Sequence, residues 1–580
     1  MRRFSGRLLA AAAALSVAGA AAGQGAPAGA DAALDALADR LVQLLVAYDP
    51  TQAYSIGVPA PDHRRWPDRR PEAVAAYERA SDEILDALRG IDPARLSTAN
   101  RFVHAGMVER LDANRAERVC RFDLWAVNHM GGWHLGLAEV ARDQPVATAD
   151  ERAQAIERWS TLPAMIDQEI ANARTGLAQG YSAPKAVVAR VIRQIDGILA
   201  ARPESLPFYA PAERADDLAF KTRLREVLAG PVHEAFGRYR RFLGDDYLPR
   251  AREALGVSAN PDGTECYRAS LRSYTTLDRS PEAVFNLGRE TVNGNQERVR
   301  ALGREAFGTD DPGQIVQRIP AAPDNRFTSE DELIAFSRAA VVRARARTAR
   351  LFLEMPAQEI RVEPFHAYRR GSGGSSYYEL QIDPALPAFY RINSEVWANE
   401  TRGTAEITAV HESYPGHHMQ ISLAAQTSTR PISKLLFNSA FIEGWGRYSE
   451  ALAEEAGIYE TRYAPMTRRL WPARGMVVDP GLHVMGWTRQ QVIDFIRASG
   501  RFPGAEADDL VDRIAILPGQ LTAYDSGGLE IMALRREAEE ALGPRFDVRQ
   551  FHQRVLENGT VPLGALRDHV RAWIAAQRAQ

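Results

Sequence analysis

Residues 411–420 read HESYPGHHMQ. The stretch opens as the metal-peptidase pattern H-E-x-x-H opens, but position 415, where the second histidine belongs, is proline, and histidines follow only at 417 and 418. The pattern works on a helix because residues four apart share a face, so two imidazoles can meet one ion. On an unbroken helix His417 would lie about 240° round from His411, and His418 would return to the right face about 10 Å further along the axis. Neither fits. Pro415 removes a helical hydrogen bond and displaces the carbonyl of His411, while Gly416 accepts most backbone angles. The spacing therefore predicts a bulge at Tyr414–Gly416, of the kind that clusters at functional sites. A two-residue bulge brings His417 to the place of the missing i+4 histidine, with His418 beside it as the alternate ligand.

A third donor is expected on the helical stretch KLLFNSAFIEGWGRYSEALAEEAG, where Glu443 follows His417 by 26 residues. Glu450 lies one heptad on, on the same face, and is expected to pair with Arg447 or to face solvent. Gly444 and Gly446 weaken a helix interior, which makes sense if another helix, such as the histidine helix, packs closely there. Two histidines, one carboxylate and an open fourth position suit zinc, one ion per chain. Glu412 then sits where a general base is needed.

Elsewhere the chain is dominated by one-face apolar spacing, as in DAALDALADRLVQLLVAYDP from Asp31 and in residues 216–243. The same period runs through SEDELIAFSRAAVVRARARTARLFLE and the C-terminal VPLGALRDHVRAWIAAQ. The fold class is mainly α. One exception is residues 359–393, which alternate and are rich in Tyr, Val, Ile and Gly, predicting a small antiparallel sheet. A glycine-interrupted edge strand there could accept an extended peptide, which makes Gly373, Gly374, Tyr377 and Tyr378 substrate-binding candidates.

Composition narrows the function classes. The 580 residues are 45% hydrophobic and 25% charged, with a net charge of -3 and no sustained charge runs, so no nucleic-acid partner is indicated. Arg2, Arg3 and Arg7 precede an apolar, small-residue run ending in an A-x-A-like cut near Ala20–Ala22. This predicts an export signal over residues 1–23, a secreted or periplasmic protein, and no stable membrane anchor after cleavage. Cysteines occur only at 120 and 266, so a lipid anchor at the cut is not expected, and the two could form one disulfide.

Several blocks carry a resemblance. NHMGGWHLGL (128–137), PDGTECYRASLRSYTTLDRSPEAVFNLG (261–288), GGSSYYE (373–379), HESYPGHHMQ, FNSAFIEGWGRYSE (437–450), VVDPGLHVMGWT (477–488), ILPGQLTAY (516–524) and FHQRVLENGTVPL (551–563) stand in this order. In kind and order they resemble the bacterial domain-of-unknown-function 885 family, grouped with zincin-type metallopeptidases. The resemblance spans nearly the whole chain after the signal. It implies a single large helical domain, residues 24–580, similar to helical gluzincin peptidases. A two-lobed body would surround a cleft, with an N-terminal lobe at about 30–355 and a catalytic lobe at about 356–580. It also implies His411, His417 and Glu443 as zinc ligands and Glu412 as base. One departure from the family pattern is Asp525, where lysine is usual after the tyrosine.

The expected activity is zinc-dependent hydrolysis of a peptide or small amide. The alternatives are a zinc amidase or esterase on a modified amino acid, or a non-catalytic envelope binding protein. Candidates for the oxyanion donor are Tyr524, His483, Tyr377 and Tyr378, with Tyr524 first by analogy to other helical zinc peptidases. Arg447 and Arg474 are candidates for a substrate carboxylate. The sequence YDSGGLE (524–530) imitates the surroundings of a serine nucleophile, but the helical period that follows it argues against that chemistry at Ser526.

Overall fold

A computed structural model of the chain describes residues 27–366, 376–381, 383, 385–427 and 430–579. The expected export signal and the glycines Gly373 and Gly374 lie outside the described residues. The protein is mainly α-helical with one three-stranded sheet among the described residues. The apolar periodicities become helices at Pro27–Tyr48, Glu330–Thr348 and Leu563–Ala579. The stretch over 216–243 is interrupted. Helix Leu218–Val227 widens into a π turn at Leu228–Val232 before His233–Arg241 resumes. Pro231 has no amide hydrogen to give to the α register, and the wider turn absorbs the defect.

The segment 359–393 does form a sheet, but a mixed one rather than the antiparallel sheet expected. Strand β1 (Ile360–Pro364) runs parallel to β3 (Ala388–Ile392), and β2 (Tyr377–Glu379) pairs antiparallel on the other side of β3. Alternation identifies strands but carries no direction; the path of the connecting chain sets that. Arg391 of β3 ties the three together, with Nη1 3.1 Å from Glu363 on β1 and Nε 2.8 Å from Glu379 on β2.

Two large apolar cores organise the chain. The first gathers residues such as Trp159, Ile166, Phe236 and Tyr267, and holds the buried disulfide between Cys120 and Cys266. The second joins Val362 and Tyr390 of the sheet to Ala409, Met419, Phe441, Trp445 and Leu534. Helix Glu330–Thr348 packs into this second core, and its Arg343 grips Glu406 at 2.6 Å. Among the described residues no helix is long and apolar enough to cross a membrane.

Three distant motif blocks meet at one buried node. Asp479 accepts the Tyr267 hydroxyl at 2.8 Å and the amides of Gly519 and Leu521 at 2.9 and 3.3 Å. His483 stacks on Tyr267 with centroids 5.1 Å apart. Its Nδ1 accepts the Val257 amide at 2.9 Å, and its Nε2 donates to the Ile514 carbonyl at 2.9 Å. His483 is therefore not the oxyanion donor the sequence suggested: it is fully buried and backbone groups occupy both ring nitrogens.

Burial pushes His483 down from its ordinary 6.5 to about 3, so it stays neutral when folded. The unfolded chain gains a proton below 6.5 and the folded protein does not. The contribution is thus complete above pH 6.5 and is lost on acidification towards 3, by about 1.4 kcal/mol per pH unit. Difference urea-unfolding profiles should show His483→Gln flattening the acid limb of stability between roughly pH 6 and pH 4. An unchanged slope would contradict this assignment.

Candidate metal centre

The first motif helix, Arg402–Glu412, starts at Thr401, whose hydroxyl accepts the Thr404 amide at 3.2 Å. Glu406 anchors it, accepting Arg343, the amides of Glu460 and Thr461, and the Thr461 hydroxyl. The helix ends at Glu412, and a second motif helix begins at His417. The expected bulge is in fact a complete break. Ser413 leaves helical geometry at φ -119, ψ -102, and the Tyr414–Pro415 peptide is cis. The Pro415 carbonyl accepts the Trp445 indole N–H at 2.8 Å and the Ser449 hydroxyl at 3.1 Å. Gly416 is required by proximity rather than by backbone angle. A Cβ there would lie 2.0 Å from the His411 carbonyl oxygen and 2.4 Å from that of Val410.

This reversal sets both histidines against Glu443. Glu443 is carried by the helix Ser439–Glu455, whose cap Asn438 accepts the Phe441 amide at 3.1 Å. The Oε2 of Glu443 is 3.4 Å from His411 Nε2 and 3.6 Å from His417 Nε2. The two imidazoles lie 4.5 Å apart at 80°. Bonds of about 2.0–2.2 Å to a tetrahedral ion put ligand atoms about 3.3–3.6 Å from one another. Charge-assisted hydrogen bonds would instead bring them to about 2.7–2.9 Å. The three residues are so placed that they could hold a metal ion. His417 Nδ1 is buried without a partner, so Nε2 is its polar outlet.

The imidazoles and carboxylates of the trio shift one another's proton affinities strongly. Burial alone would depress His411, but hydrogen bonds to Glu443 and Glu450 override it and raise the imidazole to about 10. Burial would raise Glu443, yet His411 and His417 hold it well below the ordinary carboxylate range. Glu412 is buried beside them. Burial raises its carboxyl, against the opposing pull of His417 and His411 and of the backbone amide of Tyr378.

Glu450 has a larger part than expected. It accepts His411 Nδ1 at 2.9 Å, fixing the ring so that Nε2 faces Glu443, and it also accepts Arg447 at 2.9 Å. Its position seven residues after Glu443 is the sequence signal for this. Arg447 is not available as the expected substrate contact: it is half-buried, bound to Glu450, and 3.4 Å from Asp525. Asp525 thus offers a second opposite charge to this half-buried cation. Arg474 is enclosed too, giving its N–H groups to the carbonyls of Leu470 and Phe495.

Close helix crossing explains the glycines. A Cβ on Gly446 would fall 2.4 Å from Cε1 of His411. Gly444 meets Gly527 of the helix Ala523–Leu542, and a Cβ on Gly444 would fall 2.5 Å from the Gly527 backbone. The SGG of the serine-like decoy is therefore a helix-crossing surface, and Ser526 is fully buried in it.

His418 is not the ligand. Its Nε2 meets the Gln358 carbonyl at 3.0 Å, and its Nδ1 lies 3.2 Å from both the Tyr378 hydroxyl and Ser422 Oγ. Burial depresses it to about 4. The Tyr378 hydroxyl is thereby engaged away from the trio, which corrects its assignment as an oxyanion donor. Tyr377 is half-buried, its ring 5.7 Å from Phe365. Tyr524 is half-buried at the start of the helix Ala523–Leu542, and Arg447 lies 5.8 Å from its ring centroid. Burial first, and the charge of Glu443 second, raise its hydroxyl.

Residues 50–570 match the family described as "Bacterial protein of unknown function (DUF885)". A solved structure from Colwellia psychrerythraea, described as a candidate lipoprotein, superposes with a TM-score of 0.83 at 22% identity, covering 94% of this chain and 99% of its own. A candidate lipoprotein of unknown function from Shewanella oneidensis gives 0.77 at 17%, covering 92% and 99%. At these identities the likeness is one of fold. No curated protein matches the chain significantly.

Elemental analysis of purified protein should separate the two adjacent histidines. His417→Ala should abolish zinc binding, whereas His418→Ala should retain it and lose thermal stability. Gly446→Val, which drives a side chain into His411, should lower zinc occupancy at least 10-fold, the scale seen when a ligand's support is lost. Full occupancy in Gly446→Val would contradict the packing argument.

Proposed function

The chain belongs to the bacterial DUF885 family of unknown function, and from its His411–His417–Glu443 trio we propose that it is an exported zinc-dependent hydrolase of peptide bonds. The observation that carries this reading is the spacing of the three ligand atoms, with a buried carboxylate, Glu412, directly beside them. On this reading it is similar in kind to the helical gluzincin peptidases.

Zinc held by His411, His417 and Glu443 would supply a Lewis acid that polarises a carbonyl and acidifies water. The chain's own residues do the rest. Glu412, whose affinity for a proton is raised by burial, takes a proton at its carboxylate and returns it to the leaving amine. The Tyr378 amide on β2 orients that carboxylate. Glu450 keeps His411 in one tautomer and one orientation. The Tyr524 hydroxyl, near enough to feel the charge of Glu443, donates to the developing oxyanion.

Export is supported by the arginine-led apolar segment at the start of the sequence and by the Cys120–Cys266 disulfide, which suits an oxidising compartment. The related structures from Colwellia and Shewanella are themselves described as candidate lipoproteins.

Glu412→Gln separates catalysis from metal binding. It should keep one zinc per chain while kcat on a peptide library falls about 10²- to 10⁴-fold. A variant as active as the native chain, or native protein with no bound metal and no chelator-sensitive activity, would overturn the reading. Cleavage of modified amides alone would move the substrate to the non-peptide class.

A further inference from the structure

We propose that Arg513 anchors a substrate carboxylate beside the metal centre, so that the enzyme acts on peptides and N-acyl amino acids whose free carboxylate lies on the residue released. This rests on the hydrolase reading above and names its substrate class.

The buried and half-buried arginines around the second core are matched with acids: Arg343 with Glu406, Arg447 with Glu450 and Asp525, and Arg279 and Arg567 with Glu530. Among the described residues Arg513, on the helix Glu506–Ile516 that packs in a separate apolar cluster through Leu510 and Ile514, has no such match; Arg474 has none either, but it gives its N–H groups to backbone carbonyls. Arg513 is half-buried, and among the described residues no carboxylate lies within ion-pair distance of it. Its Nη2 donates to Gln520 Oε1 at 2.7 Å and lies 3.4 Å from the Tyr524 hydroxyl. Its Nε is buried without a partner. Asp479, which feels its charge, is already engaged by Tyr267, Gly519 and Leu521, and burial raises it to about 7. A guanidinium held by neutral partners, with a donor left over, is a site for an external anion.

Position gives the anion its identity. Tyr524 links Arg513 to the surroundings of the trio: its hydroxyl lies 3.4 Å from Arg513 Nη2 and feels the charge of Glu443, and Arg447, one turn from Glu443, lies 5.8 Å from its ring centroid. In a peptide the scissile carbonyl carbon and the carboxylate carbon of a C-terminal residue are three bonds apart, each about 1.3–1.5 Å. Donors to the two groups must therefore be neighbours, as Tyr524 and Arg513 are. The node at Asp479 fixes the turn carrying Gln520 and Leu521, so this pair is presented by a rigid element.

The test compares N-acetyl-alanyl-X dipeptides with free carboxylates against the same set as C-terminal amides, on zinc-loaded full chain. We expect kcat/KM to favour the carboxylates by about 10-fold or more, the scale of one charge-assisted hydrogen bond. Arg513→Gln should collapse that ratio mainly through KM, and Arg513→Lys should restore part of it. Calorimetric binding to Glu412→Gln and to the double variant Glu412→Gln/Arg513→Gln supplies a readout independent of turnover. Equal use of amides and carboxylates, or an equal loss of both in Arg513→Gln with an unchanged melting temperature, would overturn the anchor. If neither set is cleaved but carboxylates bind in an Arg513-dependent way, the anchor stands and the hydrolase reading falls. If neither set binds, the anchor falls.

Discussion

The carbonyl of Pro415 is the point on which the site depends. A regular helix can present two residues to one ion only at fixed spacings, and the separation of His411 and His417 is not among them. The chain must stop, turn and restart within four residues, and a turn that tight exposes backbone groups that need partners. Trp445 and Ser449 meet the Pro415 carbonyl from the helix that also carries Glu443. The element that supplies the third ligand therefore also holds the bend that aligns the first two. Gly416 lets the returning chain press on the carbonyls at the end of the first helix.

Around that bend, charges are arranged in alternating layers. The trio and Glu412 concentrate carboxylate beside imidazole; Glu450 lies behind His411; Arg447 lies behind Glu450; Asp525 lies behind Arg447. Each buried charge has an opposite neighbour, which is the condition for keeping it buried at all. The layers require the helices Ser439–Glu455 and Ala523–Leu542 to approach through Gly444 and Gly527, because any side chain at the crossing would separate Arg447 from Asp525.

Much of this arrangement is legible in the amino-acid sequence. The helical periods become helices, and HESYPGHHMQ with Glu443 identifies the trio, because ligand types and spacings are local properties. The glycines at 444 and 446 foretell a close approach. The misreadings share a cause. His483 and Tyr378 carry chemistry-bearing groups in promising places, but each is already engaged by a partner remote in sequence, the Ile514 carbonyl and His418, while Arg447 is held by Glu450 three residues on and faces the remote Asp525 as well. Strand direction in the sheet is hidden for a related reason, since alternation is identical in either direction.

The sequence by itself determined that the chain is helical, which three residues gather as donors, and that Pro415–Gly416 interrupts the helix between them. Tertiary structure alone decided that the interruption is a full reversal, that His418 turns to Gln358 and Tyr378 rather than to Glu443, and that Glu450 steadies His411. Local sequence specifies backbone preference and the chemistry of a side chain. Which lone pair or proton that side chain has left to offer depends on neighbours that arrive only when distant segments pack.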